Sequence, residues 1–210
     1  MSQSISREEQ RDRLLEATLV HVPFDGWSRR SLFAGAADLG LAPALARRLF
    51  PRAGDDLLVH VERWADRQML ARVGPLEDLR VRDRIAALVR ARLEALGPHR
   101  EAMRRATAAR VLPSNGLAAC GSLWRTVDLM WSAAGDDARD ASYYTKRSLL
   151  AAVWTSTFLF WLDDRSENCE DTWAFLDRRI ENVMQIGRLR ASFDDFFRGL
   201  GRLNPMTQRR

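Results

Sequence analysis

Apolar residues recur along this chain at the three- and four-residue intervals of amphipathic helices, and no segment shows the clean two-residue alternation of a strand. Proline, glycine and aspartate separate the apolar segments, so the pattern predicts an all-α fold. The predicted helices are Glu9–Pro23, Ser31–Leu39, Pro43–Phe50, Asp55–Val73, Val81–Leu96, His99–Val111, Leu117–Ala134, Tyr143–Leu162 and Glu170–Arg190. The first three are short and closely spaced, which is typical of a helix-turn-helix unit.

Two boundaries in this pattern carry specific expectations. Asp55 or Asp56 is expected to cap the fourth helix, because a side-chain carboxylate can accept the free N–H groups of a first turn. The segment 113–116 (PSNG) is expected to break the chain between the sixth and seventh helices.

One predicted helix contains a nearly all-apolar stretch, residues 148–162 (SLLAAVWTSTFLFWL), with Lys146 and Arg147 before it and Asp163 and Asp164 after it. The stretch is shorter than the about 20 apolar residues that span a bilayer. A helix that is apolar on all sides must be enclosed by other helices or by an apolar ligand that they hold. The sequence therefore leaves two alternatives here, a packed core and a lipid pocket.

The length and composition suit one large domain, with or without a small N-terminal subdomain. The 210 residues include 46% hydrophobic residues, enough for a core. Cys120 and Cys169 form neither a disulfide framework nor a metal-type pair, which fits a reducing compartment. The first residues resemble neither a secretory signal nor a transit peptide, so we expect a cytosolic protein.

The net charge of +5 comes from the middle of the chain, where residues 61–112 hold 12 arginines against 7 acidic residues. A second basic patch lies in residues 27–52, whose arginines are Arg29, Arg30, Arg47, Arg48 and Arg52. These side chains could contact phosphates. A solvated arginine face is the simpler interpretation and the favoured one.

The sequence gives little support to an enzyme. His21, His60 and His99 lie in three different predicted helices, and none has a His or Glu at the spacing that puts two metal ligands on one helix face. Phosphate-binding glycine loops and nucleophile elbows are absent. An acidic run at 163–171 could suggest paired carboxylates, but Asn168 and Asp171 favour helix capping. We therefore expect no metal, no cofactor and no catalytic residues.

Seven tryptophans are many for this length, and Trp124 and Trp131 are seven residues apart, as are Trp154 and Trp161. Each pair shares a helix face, where large aromatics either fill a core or line a cavity. Spacing alone favours the core. Aromatic and Met residues around the polar segment 135–142, such as Met130 and Tyr143, would suit either an interface or ordinary packing.

The tail after the last predicted helix is amphipathic. Its apolar residues fall on one side of a helical projection and its Arg and Asp residues on the other. The apolar set is Leu189, Phe193, Phe196, Phe197, Leu200 and Leu203. Such a segment suits a helix lying in a membrane interface, and a terminal helix docked on protein is an equal alternative.

These residues also carry a family resemblance. The chain resembles the conserved domain of the ubiquinone-biosynthesis accessory proteins in three motifs, DLMWSAAGD, YTKR and EDTWAFLDRR. The resemblance runs over most of residues 11–190. That family implies a TetR-like fold, with an N-terminal helix-turn-helix unit (residues 8–52), a lipid-binding and dimerisation bundle (53–190) and an amphipathic terminal helix (191–210). It implies a homodimer that works beside the demethoxyubiquinone hydroxylase.

Because of this resemblance, we expect the apolar C-terminal helices to form a lipid-binding site. The expected lipid-binding residues are Trp124, Val127, Leu150, Val153, Trp154, Thr157, Phe158 and Trp161. The expected hydroxylase-docking residues are Asp128, Met130, Trp131, Tyr143, Tyr144 and Arg147. The family commonly has Trp-Tyr where Tyr143 and Tyr144 stand, so the partner's matching surface is open.

The hypothesis is thus a non-catalytic protein at the inner membrane of a bacterium, which binds an isoprenoid ubiquinone precursor and presents it to the hydroxylase. The main alternative is a TetR-type transcription regulator that uses residues 31–50 in a DNA groove. Arg47 and Arg48 come with few base-reading polar groups, so nucleic acid is the less favoured partner. An isoprenoid-modifying enzyme is the weakest alternative.

Overall fold

A computed structural model describes residues 6–110, 113–136 and 141–185, and the regular structure within these residues is entirely helical. This confirms the all-α prediction. The helices are α1 Arg7–Asp25, α2 Arg29–Asp38, α3 Pro43–Leu49, α4 Gly54–Arg72, α5 Val81–Leu96, α6 Arg100–Arg110, α7 Pro113–Ala133, α8 Ala141–Asp163 and α9, which includes residues 170–185. Short 3₁₀ turns precede α6 at Gly97–His99 and α9 at Glu167–Cys169.

Prolines account for two differences from the predicted boundaries. Pro23 does not stop α1, which continues to Asp25 and ends at Gly26 with φ 67°. The helix continues beyond Pro23 because the hydrogen bonding of the following turn is kept. The Gly26 N–H donates to the Val22 carbonyl at 2.9 Å. The predicted break at 113–116 is also wrong, since α7 begins at Pro113, whose fixed φ suits a first helical position.

The start of α4 corrects the expected cap. The residue before the helix is Ala53, with φ 41° and no side-chain cap, and neither Asp55 nor Asp56 takes that position. Asp56 lies in the first turn and accepts the Arg52 N–H at 2.8 Å. Gly54 is required here because a Cβ would lie 2.2 Å from the Trp27 carbonyl oxygen. The close approach of two backbones, which the sequence pattern does not encode, fixes this helix start.

The helices share one hydrophobic core that runs from α1 to α9. A buried ion-pair network crosses its centre. Arg92 on α5 contacts Glu62 at 2.5 Å and Asp66 at 2.9 Å on α4, and Thr126 on α7 donates to Asp66 at 2.9 Å. The Arg92 guanidinium also lies 4.5 Å from the centre of the Trp154 ring on α8. Four helices therefore meet at one buried charged side chain.

The all-apolar helix α8 is only partly enclosed. Leu150, Val153, Trp154 and Trp161 are buried, whereas Leu159 is 47% exposed and Phe160 37% exposed. No helix in the described ranges is long and apolar enough to cross a membrane. The sequence left a packed core and a lipid pocket as alternatives for this stretch, and the described helices enclose only part of it, with Leu159 and Phe160 exposed along one edge.

Candidate functional site

A cleft of about 480 Å³ opens between α5, α7, α8 and α9. Its walls are mostly aliphatic, with one tryptophan, and its charged residues are one carboxylate and two cations. The apolar lining residues are Val81, Ile85, Trp131, Ala134, Leu149, Leu150, Val153, Ile180, Val183 and Met184, and the charged ones are Arg82, Asp136 and Lys146. Helical spacing explains the α8 wall, because Leu149, Leu150 and Val153 share one face.

A smaller cavity of about 210 Å³ lies on another face of α8, beside Trp154 and Phe158. These two rings stack with centroids 5.7 Å apart, and Leu123 and Leu159 complete the apolar wall. The opposite wall carries hydroxyl groups from α6 and α7, those of Thr107, Ser122 and Thr126. The small cavity is therefore more polar than the large cleft.

The predicted lipid-binding residues divide between these spaces and the core. Leu150 and Val153 line the cleft, and Trp154 and Phe158 line the small cavity. The other four predicted residues line neither space. Val127 and Thr157 are fully buried, Trp161 is buried under the Arg100 guanidinium at 4.6 Å, and Trp124 packs against Tyr143 and Tyr144.

Sequence reasoning missed half of the cleft. Val81 and Ile85 come from α5, and Ile180, Val183 and Met184 come from α9. In the sequence they look like the ordinary core face of an amphipathic helix, and only the packing of four helices leaves them around a gap. No pattern in the sequence marked these residues as part of a cleft.

The predicted docking residues lie together where α7 and α8 approach each other. Tyr144 is 66% exposed, and its ring contacts those of Trp124 and Tyr143. Met130 is fully buried beneath this surface, so it supports the patch from inside. The patch that is available to a partner consists of aromatic rings, with Asp128 half-exposed at its edge.

A chain of charges connects this patch to the cleft. Asp128 accepts hydrogen bonds from the Tyr143 hydroxyl at 3.0 Å and from Arg147 Nε at 2.6 Å. The buried Arg147 also approaches Asp136 at 3.5 Å, and Asp136 pairs with Lys146 at 2.5 Å. Asp136 therefore has one oxygen toward the patch and the other toward the cleft.

The described residues bring together one group of possible metal ligands, Glu8, Asp12 and His60. The group spans two helices, which is why spacing within one helix did not reveal it. Arg67 already pairs with Glu8 at 3.0 Å and with Asp12 at 2.5 Å. Burial and the nearby Arg11 lower the pKa of His60. A cation would have to displace the Arg67 guanidinium, so this cluster fits a helix-to-helix contact better than a metal site.

The acidic run after α8 does cap a helix, but with different residues from those predicted. Asp164 accepts hydrogen bonds from the backbone N–H and hydroxyl groups of Ser166 and Thr172. Although burial opposes ionisation, these hydrogen bonds lower the pKa of Asp164 to about 2. Asn168 instead adopts a left-handed conformation with φ 50° inside the 3₁₀ turn.

The predicted membrane-binding residues Leu189, Phe193, Phe196, Phe197, Leu200 and Leu203 lie outside the described residues. Their role remains a prediction from the sequence.

Known proteins resemble this chain in sequence and in fold. Residues 117–187 match the family model described as COQ9. The chain is 34% identical to the ubiquinone biosynthesis protein COQ9, mitochondrial, of Homo sapiens, over 87% of this chain and 60% of that protein. The corresponding Drosophila melanogaster protein is 30% identical, over 84% of this chain and 56% of that protein. The chain thus spans about 60% of the length of the curated relatives it matches.

The fold resembles that of a TetR transcriptional regulator from Nitrosomonas europaea, whose crystal structure matches with a TM-score of 0.69. The two chains are 25% identical, and the match covers 84% of this chain and 98% of the other. The TetR-like fold expected from the sequence is therefore confirmed.

Proposed function

The chain is a relative of the COQ9 ubiquinone-biosynthesis proteins, and from this premise we propose that it is a lipid-binding accessory protein of ubiquinone biosynthesis. It binds an isoprenoid quinone precursor and presents it to the demethoxyubiquinone hydroxylase at a membrane surface. It performs no chemistry itself, and the reaction belongs to the partner.

The observation that carries the proposal is the apolar cleft of about 480 Å³. Small-molecule sites typically measure about 300–1,000 Å³ and are mostly apolar. A polyprenyl tail gains about 25 cal/mol for each Å² of apolar surface removed from water. A cleft with these walls therefore lowers the free energy of a tail that has left the bilayer.

The position of the cleft supports the presentation step. Trp131 lines the cleft, and its ring N–H donates to the Lys146 carbonyl at 3.0 Å, next to the aromatic patch around Tyr144. A ligand head near Asp136 lies beside the surface that is proposed to bind the hydroxylase. A bound partner could then receive the head group without its passing through water.

Two further parts of the proposal concern assembly and location. The apolar face of residues 189–203 inserts into the interface of the inner membrane, on its cytoplasmic side. Exposed Leu159 and Phe160, with Phe160 stacked on Phe175 at 4.5 Å, form a surface for a second copy of the chain. The proposed assembly is therefore a homodimer bound to the membrane periphery.

Filling the cleft tests ligand binding. Val183→Trp places a large ring in the cleft wall, and Val20→Trp places the same ring on the exposed outer side of α1. A short-tailed benzoquinone is titrated against tryptophan fluorescence in both variants. We expect at least about tenfold weaker binding for Val183→Trp and no change for Val20→Trp, because only the first ring occupies space in the cleft that the ligand needs. Equal affinities in both variants would contradict the cleft as the site.

Removing an exposed ring tests the partner surface. Tyr144→Ala is expected to weaken hydroxylase binding by about tenfold or more, since exposed aromatics often dominate interface energies. Phe24→Ala removes an even more exposed ring from α1 and is the control. Binding is measured by surface plasmon resonance with the purified hydroxylase. If both variants bind like the wild type, the patch is not the docking surface.

The TetR-like neighbour favours one second candidate, a transcription regulator whose effector occupies the cleft. Two features of the proposed DNA-binding segment give this candidate less support. Helix α3 is only seven residues long, and the Arg47 guanidinium packs over the Phe33 ring at 5.1 Å. A salt-dependent gel shift with the protein's own promoter separates the two candidates. Tight sequence-specific binding would favour the regulator.

A further inference from the structure

The charged rim of the cleft contains the only lysine of the chain. Of the 33 basic residues, 32 are arginines and one is Lys146. Its side chain is partly exposed and belongs to the lining of the cleft, next to Leu149 and Leu150. A primary ammonium at the edge of an otherwise apolar cleft gives that end of the space a polarity which the hydrophobic walls lack.

The hydrogen bonding of Lys146 leaves donors for a ligand. Within the described residues its Nζ contacts Asp136 Oδ1 at 2.5 Å and lies 5.7 Å from the centre of the Trp131 ring. An ammonium group has three N–H donors, and one acceptor satisfies one of them. The nitrogen that carries the remaining donors lies over the Trp131 ring, which forms part of the cleft wall.

The neighbouring charges favour an oxygen acceptor at this position. Arg82 is a second cation of the lining, and its Nε lies 3.2 Å from Asp83 on the outer side. Asp136 is the one carboxylate of the lining, and it is shared between Lys146 and the buried Arg147. Lys146 is therefore the cation of the lining whose nitrogen lies over the aromatic wall, where it can donate to a carbonyl or an ionised phenol oxygen.

We propose that Lys146 is the head-group contact of the cleft and that it donates a hydrogen bond to a ring oxygen of the bound lipid. This proposal rests on the proposed function and adds the residue that contacts the oxygen-bearing ring of the ligand. The tail lies along Leu150, Val153 and Ile85, and the ring lies beside Trp131. Lys146 fixes the direction in which the ligand enters, with the head toward the aromatic patch.

Two matched probes measure the head-group contact. One is a short-tailed benzoquinone, and the other carries the same tail on an oxygen-free benzene ring. Both are titrated against the tryptophan fluorescence of the full chain as wild type, Lys146→Met, Lys146→Arg and the control Arg165→Met. Arg165 is exposed in the loop after α8, at the far end of that helix from Lys146. Circular dichroism and the melting temperature verify that each variant is folded.

The wild type is expected to bind the quinone about tenfold or more tighter than the oxygen-free probe, the size of one charge-assisted hydrogen bond. Lys146→Met abolishes this preference and leaves the oxygen-free probe's affinity unchanged. Lys146→Arg keeps part of the preference, and Arg165→Met keeps all of it. Equal binding of the two probes by the wild type, or an unchanged preference in Lys146→Met, overturns the head-group contact while the lipid-binding function stands. If the wild type binds neither probe, both proposals fail.

A second measurement needs no variant. Because Lys146 is the only lysine, an amine-acylating reagent has two targets, its Nζ and the N-terminal amine. Mass spectrometry follows both reactions with and without saturating quinone. Slower acylation of Lys146 with an unchanged N-terminal rate supports the contact. Equal rates for Lys146 in the free and quinone-saturated protein would overturn it.

Discussion

The two ends of this helical chain bury similar side chains in one shared core, but their helices pack together differently. Around α1 and α4, residues such as Leu14, Leu15 and Leu57 are completely buried, and the polar edges are joined by ion pairs such as that of Arg67 with Asp12. Around α8 and α9 the packing leaves a cleft of about 480 Å³, and Leu159 and Phe160 are exposed. Both regions expose some apolar side chains, such as Phe24 on α1 and Leu159 on α8, but the apolar residues of α8 and α9 also line a space large enough for a ligand.

The difference follows from how polar residues are distributed on each helix. Helix α4 has a polar side, and its neighbours cover most of its apolar side, with Leu70 left 42% exposed. Helix α8 is apolar nearly all round over residues 148–162, and the neighbouring helices cover only part of that circumference. An apolar surface that its own chain leaves open is available for a ligand, a second copy or a membrane.

The largest expected effect comes from the charge network where the two regions meet. Arg92→Met leaves Asp66 and Glu62 without their buried partner, which is expected to cost about 3–5 kcal/mol of unfolding free energy. Urea denaturation measures the change. Arg90→Met, an exposed position on the same helix, is the control and should change stability by less than about 1 kcal/mol. Similar losses in the two variants would mean that the network does not join the regions.

Truncating one leucine in each region compares the two cores directly. Leu14→Ala removes a fully buried side chain from the closed core and is expected to cost about 3 kcal/mol. Leu150→Ala only enlarges an existing cleft, so we expect about 1–2 kcal/mol. Chemical denaturation gives both values. A Leu150→Ala cost equal to or above that of Leu14→Ala would show that the C-terminal core is as tightly closed as the N-terminal one.

The cap after α8 gives a pH-dependent contribution within the C-terminal region. The pKa of Asp164 is lowered from 3.8 to about 2 by its hydrogen bonds with Ser166 and Thr172. Because the folded-state pKa lies below the unfolded value, this stability is present above pH 3.8 and is lost as the pH falls toward 2. A shift of this size corresponds to about 2 kcal/mol.

Asp164→Asn should therefore lower stability at neutral pH and remove this part of the acid dependence. The matched control is Asp163→Asn, because the neighbouring Asp163 side chain is 87% exposed. Urea denaturation between pH 2 and 5 follows all three proteins. An Asp164→Asn protein that loses stability with acid as steeply as the wild type would contradict the assignment of Asp164 as the cap.

The smallest expected effect comes from two histidines, His60 on α4 and His99 in the 3₁₀ turn before α6. Burial is the main cause that lowers the pKa of His60 and of His99 below 6.5. The unfolded chain binds protons on these rings before the folded protein does, so stability falls as the pH decreases from 6.5 into the folded-state range. Their substitution by Gln should flatten this part of the stability curve. His21→Gln, on the partly exposed side of α1, is the control. If stability depends on pH as steeply in the double variant of His60 and His99 as in the wild type, the prediction is contradicted.

The sequence predicted most helices because apolar periodicity is a local property, and proline and glycine mark its interruptions. It misplaced the start of α7 because Pro113 can begin a helix as well as break one. It identified Leu150 and Val153 on the cleft wall but not Ile85 or Val183, since a gap between four helices depends on their packing.

The aromatic patch was predicted from the family resemblance and not from helical spacing. The sequence motifs around Asp128 and Tyr143 resemble those of a known family. In the structure the Tyr143 hydroxyl donates to Asp128 Oδ1 at 3.0 Å. The ion pair of Asp136 and Lys146 that connects patch and cleft was not predicted, because helical spacing gives no information on contacts across a turn. Long-range pairing was thus the part of the site that sequence patterns could not supply.

The most direct test of the account is to determine what the C-terminal cleft contains when the full chain is purified under gentle conditions. Lipids are extracted from the protein and quantified by mass spectrometry against the amount of chain, with Val183→Trp prepared in parallel. We expect an isoprenoid lipid at a fixed ratio to the wild-type chain and a strongly reduced ratio in the filled variant. A wild-type protein that repeatedly yields no bound lipid, or a variant that carries as much as the wild type, would contradict it.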